Sequence, residues 1–104
     1  MVSVRSRTSG DANILEIEGE LDIASAHRVE EELRALESDT IVPIVVDLRG
    51  VKFLDSTGLR VLMDAHSRAS EAGRAFSLIR GPDHIHRIFG ITGLDKHIRF
   101  VEDG

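Results

Sequence analysis

Residues 44–62, IVVDLRGVKFLDSTGLRVL, contain the change from strand to helix on which the fold assignment rests. With Pro43 before it, this stretch is β-branched and almost continuously apolar as far as Leu48. Such a run is typical of a central strand that is covered on both faces. We expect Arg49-Gly50 to end the strand and residues 51–54 to form a short apolar connection.

A helix is predicted directly after this connection. It begins near Ser56 or Thr57 and ends at Gly73, a residue type that commonly follows a helix C-terminus. Spacings of three and four give it an inner face of Leu59, Leu62, Met63, His66 and Ala69. The same alternation continues downstream, with a strand predicted over 75–79 and another over 98–101. The helix between them is opened by Gly81-Pro82-Asp83 and ended by Thr92-Gly93-Leu94. Its inner face consists of Ile85, Ile88 and Phe89.

The N-terminal half is predicted to contain two strands and one helix. Residues 2–8 alternate between apolar and polar, Ser9-Gly10-Asp11 is a turn signal, and residues 14–17 resume the alternation, so we expect an antiparallel pair. Asp22 or Ser25 is a suitable N-cap for the helix that follows. This helix should run from 23 to 36, because its apolar residues recur at helical spacing: Ile23, Ala26, Val29, Leu33 and Leu36.

The resulting element order is β-β-α-β-α-β-α-β. Strands that alternate with helices favour parallel neighbours, so the predicted fold class is α/β, a single domain over residues 1–104 with a mixed, mostly parallel sheet and helices packed against it. Sites in such sheets gather at the carboxyl ends of the strands. Two strand ends stand out here, Gly19-Glu20-Leu21-Asp22 and Asp55-Ser56-Thr57.

Composition narrows the classes of function. The chain has 104 residues, 41% hydrophobic and 30% charged, with a net charge of −5, which argues against direct binding to nucleic acid. It has no cysteine, so disulfides and thiolate chemistry are excluded. No apolar run approaches a membrane span and the N-terminus has no signal-peptide core, so we expect a cytoplasmic protein without membrane contact.

Ser56 is the most informative polar residue. A serine at the start of a helix can cap its first N–H groups, and those groups with the helix dipole also favour a phosphate there. Gly58 is expected to leave the backbone bare, so that another protein can approach closely. On spacing alone, an ordinary N-cap serine in a strand-to-helix turn is the better interpretation.

Several catalytic or metal-dependent alternatives fit less well. A serine hydrolase would need glycine where Leu54 stands, and a P-loop would need Gly-Lys-Ser or Gly-Lys-Thr, which the chain lacks. Asp47 lies near the end of a strand, as a phospho-accepting aspartate would. The acidic pair and the lysine that such chemistry also needs are missing, which favours a structural or capping carboxylate. The five histidines show no metal-binding spacing.

Residues 44–62 together with Gly19-Glu20-Leu21-Asp22 resemble the STAS domain, and more narrowly the anti-sigma-factor antagonists of bacteria. The two motifs lie at the right distance from each other. The element order and the chain length also agree, so that the resemblance covers nearly the whole chain.

This resemblance implies a partner-switching protein rather than an enzyme, with no cofactor and no metal. Ser56 corresponds to the phosphorylation site, and the partner is an anti-sigma factor that is also the serine-protein kinase. The unphosphorylated form binds it and frees a sigma factor, for example in a stress response, and a serine phosphatase reverses the modification. The free protein is expected to be a monomer. The partner-binding residues implied are Glu20, Asp22, Asp55, Ser56, Thr57, Gly58 and Leu59. The alternative is a STAS scaffold that is not switched, or a small subunit of a membrane lipid-transport complex.

Overall fold

Five strands and three helices make up the computed structural model of the protein, which describes residues 1–38 and 42–102. A single turn of 3₁₀ helix, Leu94–Lys96, precedes the last strand. In chain order the elements are β1 (Val2–Ser9), β2 (Ala12–Leu21), α1 (Ala26–Glu37), β3 (Ile44–Leu54), α2 (Ser56–Ala72), β4 (Phe76–Ile79), α3 (Asp83–Thr92) and β5 (Arg99–Val101).

The strands follow one another across the sheet in the order β1-β2-β3-β4-β5. β1 and β2 are antiparallel and joined by a tight turn in which Gly10 has a φ of +62°, whereas all other neighbours are parallel. All three helices contribute side chains to one buried cluster with alternate residues of β3, so they pack on one face of the sheet. The predicted fold class and element order are therefore confirmed.

The core lies between that face and the helices. Ile44, Val46 and Leu48 of β3 are at most 1% exposed, and they share one buried cluster with side chains of all three helices. Among the helix residues in this cluster are Val29, Leu33, Leu62, Ala65, Ile85 and Phe89. The residues of β3 that lie between these three, among them Asp47, point to the opposite face of the sheet.

The Asp47 carboxylate is buried and has a structural role, as predicted. Its oxygens accept hydrogen bonds from the Arg49 backbone N–H at 3.0 Å and from Arg49 Nη2 at 2.7 Å. Burial alone would raise the pKa of this carboxyl, but the hydrogen bonds and charge of Arg49 outweigh burial and lower the pKa below its ordinary value of 3.8. Asp47 is thus ionised and paired on the sheet.

β3 extends further than predicted, so the end assigned to Arg49-Gly50 was wrong. Two register shifts between β2 and β3 let the strands stay paired up to Leu21 and Leu54. A Cβ at position 50 would lie 2.6 Å from Glu18 Cγ. Gly50 therefore allows close strand approach at a bulge instead of ending the strand.

Two helix predictions also need correction. α1 begins at Ala26, and Ile23, predicted as its first inner residue, lies before the helix and is 76% exposed. The inner face of α2 is rotated from the predicted one: Val61 and Ala65 are buried, whereas Leu59, Met63 and His66 are only partly buried. The ends of α2 at Gly73 and of α3 at Gly93 are confirmed, with φ of +72° and +78°.

Candidate functional site

The candidate site lies where β2 and β3 end side by side. Leu21 and Leu54 form the last pair of these parallel strands, so Asp22 and Asp55 follow at neighbouring positions. The Asp55 backbone N–H donates to the Leu21 carbonyl oxygen at 3.3 Å and joins the two segments beyond the sheet. The structure thus brings together the two strand ends singled out in the sequence.

Asp55 holds this junction with both carboxylate oxygens. It is the N-cap of α2 in an extended conformation, and its Oδ1 accepts from the Gly58 backbone N–H at 2.9 Å. Its Oδ2 accepts from the Ile23 backbone N–H at 3.0 Å. A single side chain therefore begins α2 and fixes the loop that leads into α1.

Asp22 organises the same loop from within. Its Oδ1 accepts from the backbone N–H groups of Ala24 at 3.0 Å and Ser25 at 3.1 Å. Ser25 occupies the N-cap position of α1 without a side-chain cap bond, and its hydroxyl donates to the Glu20 carbonyl oxygen at 2.7 Å. The loop is thus held by local bonds to its own amides.

Ser56 is the first residue of α2 and is exposed. The prediction that it caps the helix was wrong, because Asp55 takes that position. Within residues 1–38 and 42–102 the Ser56 hydroxyl has no hydrogen-bond partner. It stands beside the first N–H groups of α2, which have no partners within the helix.

Gly58 has a different role from the one expected. It is buried, and a Cβ at this position would overlap the Leu21 carbonyl oxygen and lie 2.7 Å from Leu21 Cγ. The glycine therefore lets α2 approach the end of β2 inside the protein, and it does not offer bare backbone to a partner. Thr57 and Leu59 are partly buried at the same junction.

Glu20 is the remaining predicted site residue, and it faces the start of β1. Its Oε1 lies 2.7 Å from the Met1 nitrogen, and its backbone N–H donates to the Met1 carbonyl oxygen at 3.0 Å. The side chain is still 42% exposed.

Sequence reasoning missed two exposed apolar residues near the ends of β2 and β3. Ile23 is 76% exposed, and Phe53, two residues before Asp55, is 50% exposed. Ile23 was placed inside α1 because its spacing to Ala26 is helical. Of the two caps considered, only Ser25 puts residue 23 before the helix, and Ser25 is the one that the structure has in this position.

The part of the chain that the structure describes offers no metal site of three or more histidine or carboxylate groups. Within the same residues, none of the helices combines the length and the hydropathy that a membrane crossing requires.

Comparison with known proteins agrees with this architecture. A family model described as "Mlab, STAS domain" matches residues 4–102. The anti-sigma-B factor antagonist of Staphylococcus aureus is 28% identical over 103 residues, 99% of this chain and 94% of that protein. The anti-sigma-F factor antagonist RsfB of Mycobacterium tuberculosis is 30% identical over 86 residues, 83% of this chain and 70% of that protein.

A solved structure shares the fold closely. The crystal structure of an anti-sigma factor antagonist from Mycobacterium paratuberculosis superposes with a TM-score of 0.89 at 22% identity, covering 99% of this chain and 87% of that one. At this level of identity, the likeness concerns the fold alone.

Proposed function

The chain belongs to the STAS domain family, and from that premise we propose that it is an anti-sigma-factor antagonist whose binding is switched off by phosphorylation of Ser56. The observation that carries the proposal is the position of Ser56. Ser56 is exposed at the N-terminus of α2, where β2 and β3 end together, and its hydroxyl makes no hydrogen bond to any residue that the structure describes. The two relatives named above are anti-sigma-factor antagonists, and the matched regions cover 94% and 70% of their lengths, which supports the same role here.

A phosphate at this position would alter the surface without unfolding the domain. It adds about −1.5 to −2 charges at neutral pH. The first N–H groups and the dipole of α2 favour negative charge there, so the fold tolerates it. The Asp55 and Asp22 carboxylates lie at the same junction, so phosphorylation makes an acidic surface strongly more acidic.

In the proposed cycle, the unphosphorylated protein binds an anti-sigma factor and thereby frees a sigma factor. The anti-sigma factor is also the serine-protein kinase, and it transfers a phosphoryl group to Ser56. A serine phosphatase removes that group and restores binding. The chain itself acts in the cytoplasm by binding and carries out no catalysis.

Phosphate mapping tests the proposal. The protein is incubated with ATP and each purified anti-sigma factor of the source organism, and the modified residue is located by mass spectrometry. We expect a single phosphate on Ser56. Ser56→Ala should stay folded, remain unmodified and bind its partner whether or not ATP is present.

The matched control is Ser67→Ala, which removes another exposed serine hydroxyl from the same helix. It should be phosphorylated like the wild type. Equal phosphorylation of Ser56→Ala and wild type would rule out Ser56 as the switch.

The alternative is a STAS module that binds a partner without being switched, as a scaffold or as a small subunit of a membrane lipid-transport complex. The description of the matched family model, "Mlab, STAS domain", names no anti-sigma factor. The family match alone is therefore compatible with this alternative as well as with the antagonist function. A module of that kind would bind a different partner and would stay unmodified with every anti-sigma factor in the same experiment.

A further inference from the structure

We propose that the outer edge of β1 is a docking surface to which a different protein adds a strand, and that this strand alternates between apolar and acidic residues. β1 is the first strand of the sheet, so within residues 1–38 and 42–102 it pairs with β2 alone. The inference goes beyond the proposed function and does not depend on Ser56.

The register of β1 with β2 shows which backbone groups face away from the sheet. The Glu20 backbone N–H donates to the Met1 carbonyl oxygen, and Ser9 and Ala12 form the pair that closes the hairpin turn. In an antiparallel pair, residues bonded across the ladder alternate with residues whose N–H and C=O groups point outward. Counting from Met1 along the strand, the residues of β1 with outward groups are Val2, Val4, Ser6 and Thr8.

The β1 edge lacks the features that commonly close the edge of a sheet. β1 is eight residues long, contains neither proline nor glycine, and pairs with β2 without a register shift. At the other edge of the sheet, β5 has only three residues. Unpaired N–H and C=O groups along a long edge strand are a template for a further strand. β1 is therefore the edge at which an added strand gains the most main-chain hydrogen bonds.

The two faces of β1 determine which side chains the added strand carries. Val2 and Val4 are half-buried and pack against the core on the helix side, so apolar side chains opposite them extend that core. Arg5 and Arg7 lie on the other face of the sheet, where Arg5 is paired with Glu16 in the register. Residues of the added strand opposite these arginines occupy non-hydrogen-bonded positions, where cross-strand side chains come closest.

Arg5 and Arg7 favour acidic residues at those positions. Both guanidinium groups lie against the Glu16 carboxylate, with Nε–Oε distances of 3.4 Å for Arg5 and 2.8 Å for Arg7. The Arg5 side chain is still 76% exposed, so a carboxylate on an added strand can reach it. Opposite charges on directly facing residues stabilise a pair of strands.

The same arginines disfavour a second copy of this chain as the occupant. Two antiparallel β1 strands centred on Arg5 or on Ser6 place arginine opposite arginine, which destabilises the pair. β1 contains no acidic residue, so no register between two copies gives either arginine an opposite charge. The occupant is therefore a strand of a different protein.

Hydrogen exchange with a peptide probe tests the edge. The probe is an eight-residue peptide of alternating valine and glutamate, the length of β1, and the control peptide has lysine in place of glutamate. In the free protein, the amides of Val4, Ser6 and Thr8 should exchange faster than those of Arg5 and Arg7, which are bonded to β2. At about ten times its Kd, the glutamate peptide should slow exchange of the three outward amides roughly tenfold. The lysine peptide should not slow it.

Single variants locate the contact. Ser6→Pro removes one outward N–H without removing a bond to β2, so the fold should remain and Kd for the glutamate peptide should rise about tenfold or more. Ser6→Ala keeps this N–H and should bind like the wild type. Arg5→Glu should reverse the preference, so that the lysine peptide binds more tightly than the glutamate peptide. Arg28→Glu makes the same charge change at an exposed position of α1 and should leave both affinities unchanged.

The possible results are distinct. Unchanged exchange at the outward amides with about 1 mM glutamate peptide, or equal binding of the two peptides, would overturn the inference. Binding that persists in a folded Ser6→Pro variant would do the same. If Ser6→Pro does not fold, the peptide preference of Arg5→Glu decides. A wild-type dimer in sedimentation that Arg5→Glu or Ser6→Pro alters would assign the edge to a second copy. Since these measurements contain no anti-sigma factor, their failure leaves the proposed function standing.

Discussion

One oxygen of the Asp55 carboxylate accepts a hydrogen bond from the backbone N–H of Ile23 at 3.0 Å, although the two residues are 32 positions apart in the sequence. The other oxygen caps α2 by accepting from the backbone N–H of Gly58. One side chain therefore joins the segment after β2 to the segment after β3. The phosphorylation site proposed at Ser56 is the next residue, so any change at Asp55 reaches both the helix start and the exposed loop.

Asp55→Asn should separate these two tasks. Asparagine has one acceptor oxygen and remains a good N-cap, so α2 keeps its cap while the bond to Ile23 is lost. We expect faster hydrogen exchange at the Ile23 amide, with a loss of about 1 kcal/mol or less in the free energy of unfolding. Asp55→Ala removes both bonds and should cost about 2 kcal/mol. Unchanged exchange at Ile23 in Asp55→Asn would contradict the bridge.

Gly58→Ala should destabilise the domain by about 2 kcal/mol, because the added methyl group overlaps the Leu21 carbonyl oxygen and either α2 or β2 must shift. Urea unfolding measures the change. Gly90→Ala is the matched control, since its Cβ would meet nothing closer than Asp95 Oδ2 at 3.7 Å and alanine favours the helix. The control should gain about 0.5–1 kcal/mol. Equal effects at both sites would disprove close packing at Gly58.

Asp47→Asn tests the buried carboxylate on the sheet. The pKa of Asp47 is lowered in the folded state, so its contribution is complete above the unfolded pKa of 3.8 and is lost as pH falls through the folded pKa. At pH 7 we expect the variant to be about 1 kcal/mol less stable than wild type. The difference should shrink as the pH is lowered from 7 to below the unfolded pKa of 3.8.

Unfolding midpoints in urea across this pH range provide the measurement. Asp64→Asn on the exposed face of α2 serves as the control and should show no comparable difference from wild type. A gap between Asp47→Asn and wild type that stays constant with pH would show that the loss comes from packing and not from ionisation.

Ser56→Asp should weaken binding to the anti-sigma factor by roughly tenfold, because it places one negative charge at the exposed start of α2, where the phosphate is proposed to act. The melting temperature should stay within about 2 °C of wild type, since an acidic residue in the first turn suits the helix dipole. Ser67→Asp, on the same helix but away from its N-terminus, should bind normally. Extensive unfolding of Ser56→Asp would mean that the charge acts on the fold rather than on the interface.

The sequence alone determined the element order, the α/β class and the position of Ser56 near the start of α2. These follow from local signals: the apolar period of each segment, the Ser9-Gly10-Asp11 turn, and glycines 73 and 93 at helix ends. Local signals are sufficient because each depends on residues only a few positions apart.

Only the tertiary structure decided how the site is built. β3 continues past Gly50 because β2 runs beside it with two register shifts, and Gly58 is needed because Leu21 lies against it. Asp55 caps α2 in place of Ser56 and at the same time binds Ile23, which leaves the Ile23 side chain in solvent. Each of these features depends on contacts between segments distant in sequence, whose register is fixed by packing and cannot be inferred from the period of either segment alone.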